Sequence, residues 1–310
     1  MSNFAVGEVL EFDLQRKVVA HMTSASWRNA PHVSFIYEPD ITDFYAVFRT
    51  IAAERLARAD QPRKISFNTI LLKALVEGLL AAPKLNSLIE FDAATGSGRL
   101  QMCPDINISL PWFTPDGRTI TPVIAHAEAM SLDAMADAIA KLARKIDQTN
   151  IDEMLLDAIA AKTADDIKKF HLGTIWRVLN LAIRGRKTPR LRGEERKRYY
   201  RLSEDVRLSR KDIMNGTVTI SNIGSLYREQ RGYLGLLELV PPQVLAIGVG
   251  AVQDKPGLFV DQAKGQQIGI RKFIPICLVF DHRAFDFFAL VPLLKRLDTI
   301  FAGPEEAFGW

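Results

Sequence analysis

His282 stands in the run Phe280-Asp281-His282-Arg283-Ala284-Phe285-Asp286. An imidazole titrates near neutral pH and is the usual general base, and a carboxylate four residues on, Asp286, can fix its loop through an ion pair. The other histidines, His21, His32, His126 and His171, have no comparable setting. The competing reading of His282 is a surface imidazole beside an aspartate at a helix start, where a carboxylate suits the helix dipole. Spacing alone leaves both readings open. The two cysteines, Cys103 and Cys277, are too far apart for a Cys-x-x-Cys metal or redox motif, so no metal site is expected and a reduced, cytoplasmic compartment is the default.

A side chain in this position needs a buried strand before it and a helix after it, because such a junction opens at a sheet edge. The chain supplies candidates for both. Short apolar, β-branched segments at Thr217 to Ser221, Val244 to Val252 and Ile268 to Phe280 read as buried strands, and Phe287 to Phe301 as a final helix stopped at Gly303-Pro304. Val33 to Glu38 reads as another strand. Arg16 to Trp27 reads as a helix ending before Pro31, Thr42 as the N-cap of a second helix, and Asn68 as the cap of a third, over Thr69 to Ala82. Asp105 to Leu110 and Thr119 to Ala125 flank the turn Pro115-Asp116-Gly117 as a hairpin-like unit. Ser131 caps a helix with an apolar stripe at Leu132, Met135, Ile139, Leu142 and Ile146. The composite is an α/β or α+β two-layer sandwich, a mixed sheet with covering helices.

Composition agrees with a folded globular chain. In 310 residues, 48% are hydrophobic and 25% charged, which excludes disorder, a collagen-like repeat and a disulfide scaffold. No run of eighteen apolar residues exists, so no transmembrane helix is expected. Met1 to Glu11 lacks the basic-then-apolar pattern of a secretory signal, so the mature chain is expected to begin near Met1.

Three further motifs follow in order. Gly216-Thr217-Val218-Thr219-Ile220-Ser221-Asn222-Ile223-Gly224 precedes Pro241-Pro242-Gln243-Val244-Leu245-Ala246-Ile247-Gly248-Val249-Gly250, and Phe280-Asp281-His282-Arg283 comes third. Together with Gln15 to Ala20, Pro83 to Ser87 and Asn107 to Ile124, this order and spacing resembles the catalytic domain of the dihydrolipoamide acyltransferases of 2-oxo acid dehydrogenase complexes, relatives of chloramphenicol acetyltransferase. The resemblance implies a chloramphenicol-acetyltransferase-like fold, a homotrimer with each active site at a subunit interface, assembly beyond the trimer, and coenzyme A or acyl-CoA as substrate.

By motif position, His282 matches the family's general base, which takes the proton from a coenzyme A or dihydrolipoamide thiol. Ser221 matches the hydroxyl that donates to the oxyanion, contributed by the neighbouring subunit. Asp286 matches a mainly structural aspartate, with Arg16 its matching partner. Arg16, Asn222 and Phe287 are the candidate cofactor-binding residues, while Thr217 and Thr219 read as strand residues. The family continues after the aspartate with glycine, whereas Phe287 and Phe288 stand here; two rings reshape the thiol channel or end catalysis. No lipoyl or subunit-binding domain is expected, and none precedes residue 11, so a dihydrolipoamide acceptor would be carried by another protein. The whole of 1–310 is expected to form one catalytic domain with an insert.

That insert, at about 167–211, departs in charge. Ile167 to Lys211 carries fifteen Lys or Arg and four acids, a local +11 against +4 for the chain, which leaves −7 elsewhere. Its apolar stretch around Trp176 abuts a polybasic segment with Tyr199 and Tyr200, a composition that fits an anionic membrane surface through residues 168–201 and a place at the inner face of a membrane. An acidic partner or an anionic cofactor, or a packed helix with a solvated basic loop, also fits. Nucleic acid is not expected. Two other functions share the motifs: a non-catalytic trimeric scaffold of the same fold, and a membrane-associated acyltransferase acting on a long-chain or hydroxyl acceptor.

Overall fold

The structure is a computed structural model that describes residues 7–58, 60, 64–114, 117–158, 191–261 and 263–310. Helix α1, Leu14–Asn29, starts where the Asp13 carboxylate accepts the Arg16 N–H at 2.7 Å, and it stops before Pro31. Strand β1 follows at His32–Tyr37 and helix α2 at Thr42–Ala57. Thr42 is not a cap but the first helical residue, because Asp40 accepts both its N–H (2.9 Å) and its hydroxyl (2.6 Å). Helix α3, Phe67–Ala81, is capped by Ser66, whose hydroxyl oxygen accepts the Thr69 N–H at 3.1 Å; Asn68, the expected cap, lies in the first turn. Ser131 does cap its helix, α4, Leu132–Asp147, by accepting the Ala134 N–H, and Leu132, Met135, Leu142 and Ile146 of the stripe are buried.

The hairpin-like unit is nested. Strands β4, Ile108–Ser109, and β7, Val123–Ile124, pair outside β5, Trp112–Phe113, and β6, Thr119–Ile120; Pro115 and Asp116 of its turn lie outside the described residues. A separate ribbon joins β2, Ser87–Asp92, to β3, Ser97–Met102. The late strands are β8, Val218–Asn222, and β9, Leu245–Val249, then β10, Gln253–Asp261, β11, Gly265–Phe273, and β12, Ile276–Asp281. Six strands form the central sheet in the order β1-β12-β9-β8-β4-β7. β8 runs parallel to both neighbours and is almost wholly buried, as its uninterrupted β-branched run requires.

Ile268 to Phe280 is therefore not one buried strand. β11 lies outside the six-stranded sheet and pairs along its length with β10, apart from a bridge between Phe273 and Asp40, so Ile268 and Ile270 are 76% and 72% exposed, and the chain re-enters the sheet after Pro275 as β12. The final helix is also divided: a 3-10 turn at Phe287–Leu290 leads into helix α6, Val291–Ala302. α3 and α6 pack closely at Gly78, where an added Cβ would stand 3.2 Å from Leu293. On another part of the core, Ala246, Cys277 and Val279 gather Ala30, Leu239, Leu234 and Leu237.

Contacts within the chain divide it into two units, Met1–Ala25 with Lys145–Arg210, and Ser26–Arg144 with Lys211–Trp310. The second contains the sheet. In the first, helix α5, Gly193–Arg201, sets part of the basic insert against an acid. Glu153, 2% exposed, accepts the Tyr200 hydroxyl at 2.9 Å and the Leu191 N–H at 2.9 Å, and Arg196 lies over the Tyr200 ring. Burial, with hydrogen bonds to Glu153 and Asp157, pushes the Tyr200 phenol well above its usual range. Residues 167–190 of the insert lie outside the described residues. Among those described, no helix is long and apolar enough to cross a membrane.

Candidate active site

β12 reads Ile-Cys-Leu-Val-Phe and then Asp281, a carboxylate only 1% exposed that needs a partner to be held in an apolar sheet. Arg283 supplies it. Its Nη2 lies 2.5 Å from Oδ2, its Nε 3.0 Å from Oδ1, and its backbone N–H also donates to Oδ1 at 2.9 Å. The clamp closes a tight turn around the intervening residue, whose N–H donates to the Pro31 carbonyl at 3.0 Å. His282 is thereby presented at the end of the strand, with its side chain 47% exposed. Its Nδ1 stands 3.4 Å from Asp286 Oδ1. Nε2 has no hydrogen-bond partner among the described residues.

Ser221 lies near the C-terminal end of β8 and is 8% exposed. Its hydroxyl has no hydrogen-bond partner among the described residues, unlike Thr219, whose Oγ1 donates to Gln243 at 2.6 Å, and Thr217, whose Oγ1 accepts the Asn107 N–H. The two threonines are structural, as the strand reading expects. Gly248 is opposite Ser221 in the register, and the space beside it is closed by Leu234 and Leu237, which a Cβ there would meet at 2.6 and 2.8 Å. The turn after β8 needs Gly224 for the same reason, since its Cβ would stand 2.3 Å from the Gly250 carbonyl oxygen.

The register also separates the two candidate catalytic groups. Ser221 pairs with Gly248, and Gly248 with Cys277, five residues before His282. At about 3.4 Å per residue along the strand and about 4.8 Å between strands, serine and histidine of one chain are on the order of 20 Å apart. The structure does not bring them together within a protomer.

The remaining candidates are placed as follows. Asn222 supports the turn: its Nδ2 donates to Asn68 at 2.8 Å and its Oδ1 accepts the Ser225 N–H at 3.0 Å. Phe287 packs edge-on to Phe35 of β1, ring centres 4.9 Å apart, while Phe288 is 82% exposed. Arg16 is an exposed residue in the first turn of α1, in the other contact unit. The carboxylate of Asp286 faces His282. The positioning pair Asp281 and Arg283 has no role in the sequence reading, although a lone acid closing an apolar strand was a legible signal for a buried clamp.

The chain matches the family model described as 2-oxoacid dehydrogenases acyltransferase (catalytic domain) over residues 7–155 and 191–308. It belongs to that family. The match passes over 156–190, so it omits the first part of the basic insert and includes α5. Among curated members of this acyltransferase family, the acetyltransferase component of the Staphylococcus epidermidis pyruvate dehydrogenase complex is 24% identical over 293 residues, 94% of this chain and 50% of that protein. The chain spans about half the length of the curated relatives it matches along most of its own length. The probable dihydrolipoamide acetyltransferase of Listeria monocytogenes shares the fold with a TM-score of 0.64 at 19% identity, over 96% of this chain and 94% of that one. The Azotobacter vinelandii dihydrolipoamide acetyltransferase does so with a TM-score of 0.65 at 21% identity, over 99% and 96%; it was studied for the catalytic roles of a serine, a histidine and an asparagine four positions after the histidine.

Proposed function

We propose that the protein is a CoA-dependent acyltransferase that moves an acyl group between coenzyme A and a thiol acceptor of the dihydrolipoyl type borne by another protein. It works as a homotrimer in which His282 of one protomer and Ser221 of its neighbour share each site. The observation that carries this reading is the separation of the two residues across one sheet, each with its reactive atom free. A surface suited to self-association supports it. Leu258 and Val260 of β10 and Ile268 and Ile270 of β11 lie on one face of the hairpin, each at least 72% exposed, and a contiguous apolar patch of this kind marks an interface.

The chemistry follows from the groups present. An ordinary thiol has a pKa of about 8.5, so at neutral pH it needs a base to become a nucleophile. His282 Nε2 takes the thiol proton, and the sulfur attacks the carbonyl carbon of the acyl thioester. The carbonyl oxygen becomes an oxyanion that accepts a hydrogen bond from the Ser221 hydroxyl. Collapse re-forms the carbonyl, breaks the old carbon–sulfur bond, and returns the proton from the imidazolium to the departing thiolate. The Azotobacter vinelandii relative's serine, histidine and asparagine set corresponds in spacing from the histidine to His282 and Asp286 here, with a carboxylate in place of the amide.

The test is thiol release from acyl-CoA in the presence of dihydrolipoamide. His282→Ala is expected to lower kcat/KM by at least about a hundredfold, whereas Asp286→Ala, which removes an exposed contact, lowers it by no more than about fivefold. Equal rates for wild type and His282→Ala would overturn the assignment.

A further inference from the structure

An imidazole and two carboxylates meet at the edge of the central sheet, where β4 pairs with the outermost strand, β7. Asp105 comes shortly before β4, and His126 and Glu128 lie in the turn that follows β7. His126 Nδ1 stands 3.5 Å from Asp105 Oδ1 and 3.7 Å from Glu128 Oε1, and the three donor atoms all lie within 4.8 Å of one another. Among the described residues no other trio of His, Cys, Asp or Glu converges in this way. The set is made of histidine and carboxylates, on which the spacing of the two cysteines has no bearing.

Each donor residue is anchored by a bond that leaves its ligating atom uncommitted. Glu128 accepts the Ile106 N–H at 2.7 Å through Oε2, and its other oxygen, Oε1, is the one nearest His126. His126 has a left-handed backbone, φ 55°, and its N–H donates to Asn107 Oδ1 at 3.0 Å. The Asp105 carbonyl accepts the amide of buried Asn86 at 2.8 Å. Outer bonds of this kind orient the ligands of metal sites. Donors about 2.0–2.2 Å from a tetrahedral zinc ion stand about 3.3–3.6 Å from one another. Both separations from His126 come close to that spacing, and rotation of the partly exposed Asp105 side chain brings in the third pair. A nitrogen with two carboxylate oxygens suits zinc better than magnesium or calcium, which prefer oxygen alone, and the two carboxylates balance its charge. We infer that Asp105, His126 and Glu128 bind one divalent ion of the zinc class, with water completing its shell on the exposed side. The ion clamps the segment entering β4 to the turn leaving β7. It takes no part in thiol and thioester chemistry, so the inference stands whether or not the acyltransferase reading does.

Calorimetric titration of the whole protein with Zn²⁺ tests this directly. One ion per chain is expected to bind with Kd below about 10 μM. His126→Asn keeps a residue type that accepts a left-handed backbone, and Glu128→Gln keeps an acceptor for the Ile106 N–H, so both variants are expected to fold. Each weakens binding by at least about tenfold. His282→Ala, which removes another imidazole facing a carboxylate, leaves the affinity unchanged. Saturating Zn²⁺ also raises the thermal unfolding midpoint of wild type and leaves that of His126→Asn where it was. An imidazolium that merely pairs with the two carboxylates produces none of these results. Binding weaker than about 10 μM, a loss of less than about tenfold in either variant, or a wild-type midpoint unmoved by Zn²⁺ would overturn the proposal.

Discussion

Ser221 and His282 occupy opposite ends of the same sheet, linked by the cross-strand series Ser221, Gly248 and Cys277. Each is delivered by a different device. Ser221 sits on a central strand buried between two parallel neighbours, and His282 sits in a turn clamped by a buried ion pair. In the proposed function the two are half-sites, and their separation is the geometry a cyclic oligomer needs to build whole sites from its interfaces.

The clamp is expected to hold both the fold and the histidine. Arg283→Met leaves the Asp281 carboxylate, 1% exposed, without its cation. Breaking a buried pair from one side costs about 3–5 kcal/mol. Chemical denaturation of Arg283→Met should show a loss in that range, with acyl transfer reduced below the level that Asp286→Ala retains; an unchanged denaturation midpoint would contradict the clamp.

Asp40 ties the hairpin to the sheet. It accepts Arg271 Nε at 2.7 Å and both Thr42 donors, and Arg271 also lies over the Phe259 ring. Burial pushes its carboxyl up, but the hydrogen bonds from Thr42 and Arg271 outweigh this and hold it below the ordinary value. A depressed folded pKa means that the stabilisation is complete above the unfolded value of about 3.9 and is lost as pH falls through the folded one. Asp40→Asn is expected to cost about 1–3 kcal/mol at neutral pH, with the difference from wild type shrinking below about pH 4. Parallel denaturation series at pH 7 and pH 3.5 check the sign.

The exposed face of the hairpin gives a third expectation. Leu258 stands directly opposite Ile268 on it, and both side chains are largely in solvent in the single chain. Leu258→Glu with Ile268→Glu should leave the circular dichroism spectrum unchanged, convert the trimer to monomer by light scattering, and abolish acyl transfer with it. A charged hairpin that still ran as a trimer would remove this face from the interface.

How much of this was legible in the sequence varied with the range of the interaction. The α4 stripe was legible because helical periodicity is local, and β8 because only a doubly covered strand reads as a continuous β-branched run. The division at Pro275 was missed although its signal was present: residues 268 to 271 alternate, as a one-faced ribbon does, while 276 to 280 are apolar without a break. Ser66 and Asn68 are equally suited by type to cap α3, so residue type does not choose between them; Ser66 is the cap, and Asn68 is used by Asn222, more than a hundred residues away. The place of His282, just after a buried strand and before the final helix, was legible from its motif. Its distance from Ser221 was not, because register arises from pairing among strands far apart in the chain.

The central claim is that each site is shared between protomers, and complementation tests it most directly. Ser221→Ala and His282→Ala are each expected to be nearly inactive alone. Co-expressed in equal amounts and isolated as mixed trimers, they should regain about a third of wild-type activity, since in every mixed trimer one interface in about three would join an intact Ser221 to an intact His282. Activity no greater than that of the two variants measured separately would contradict a shared site.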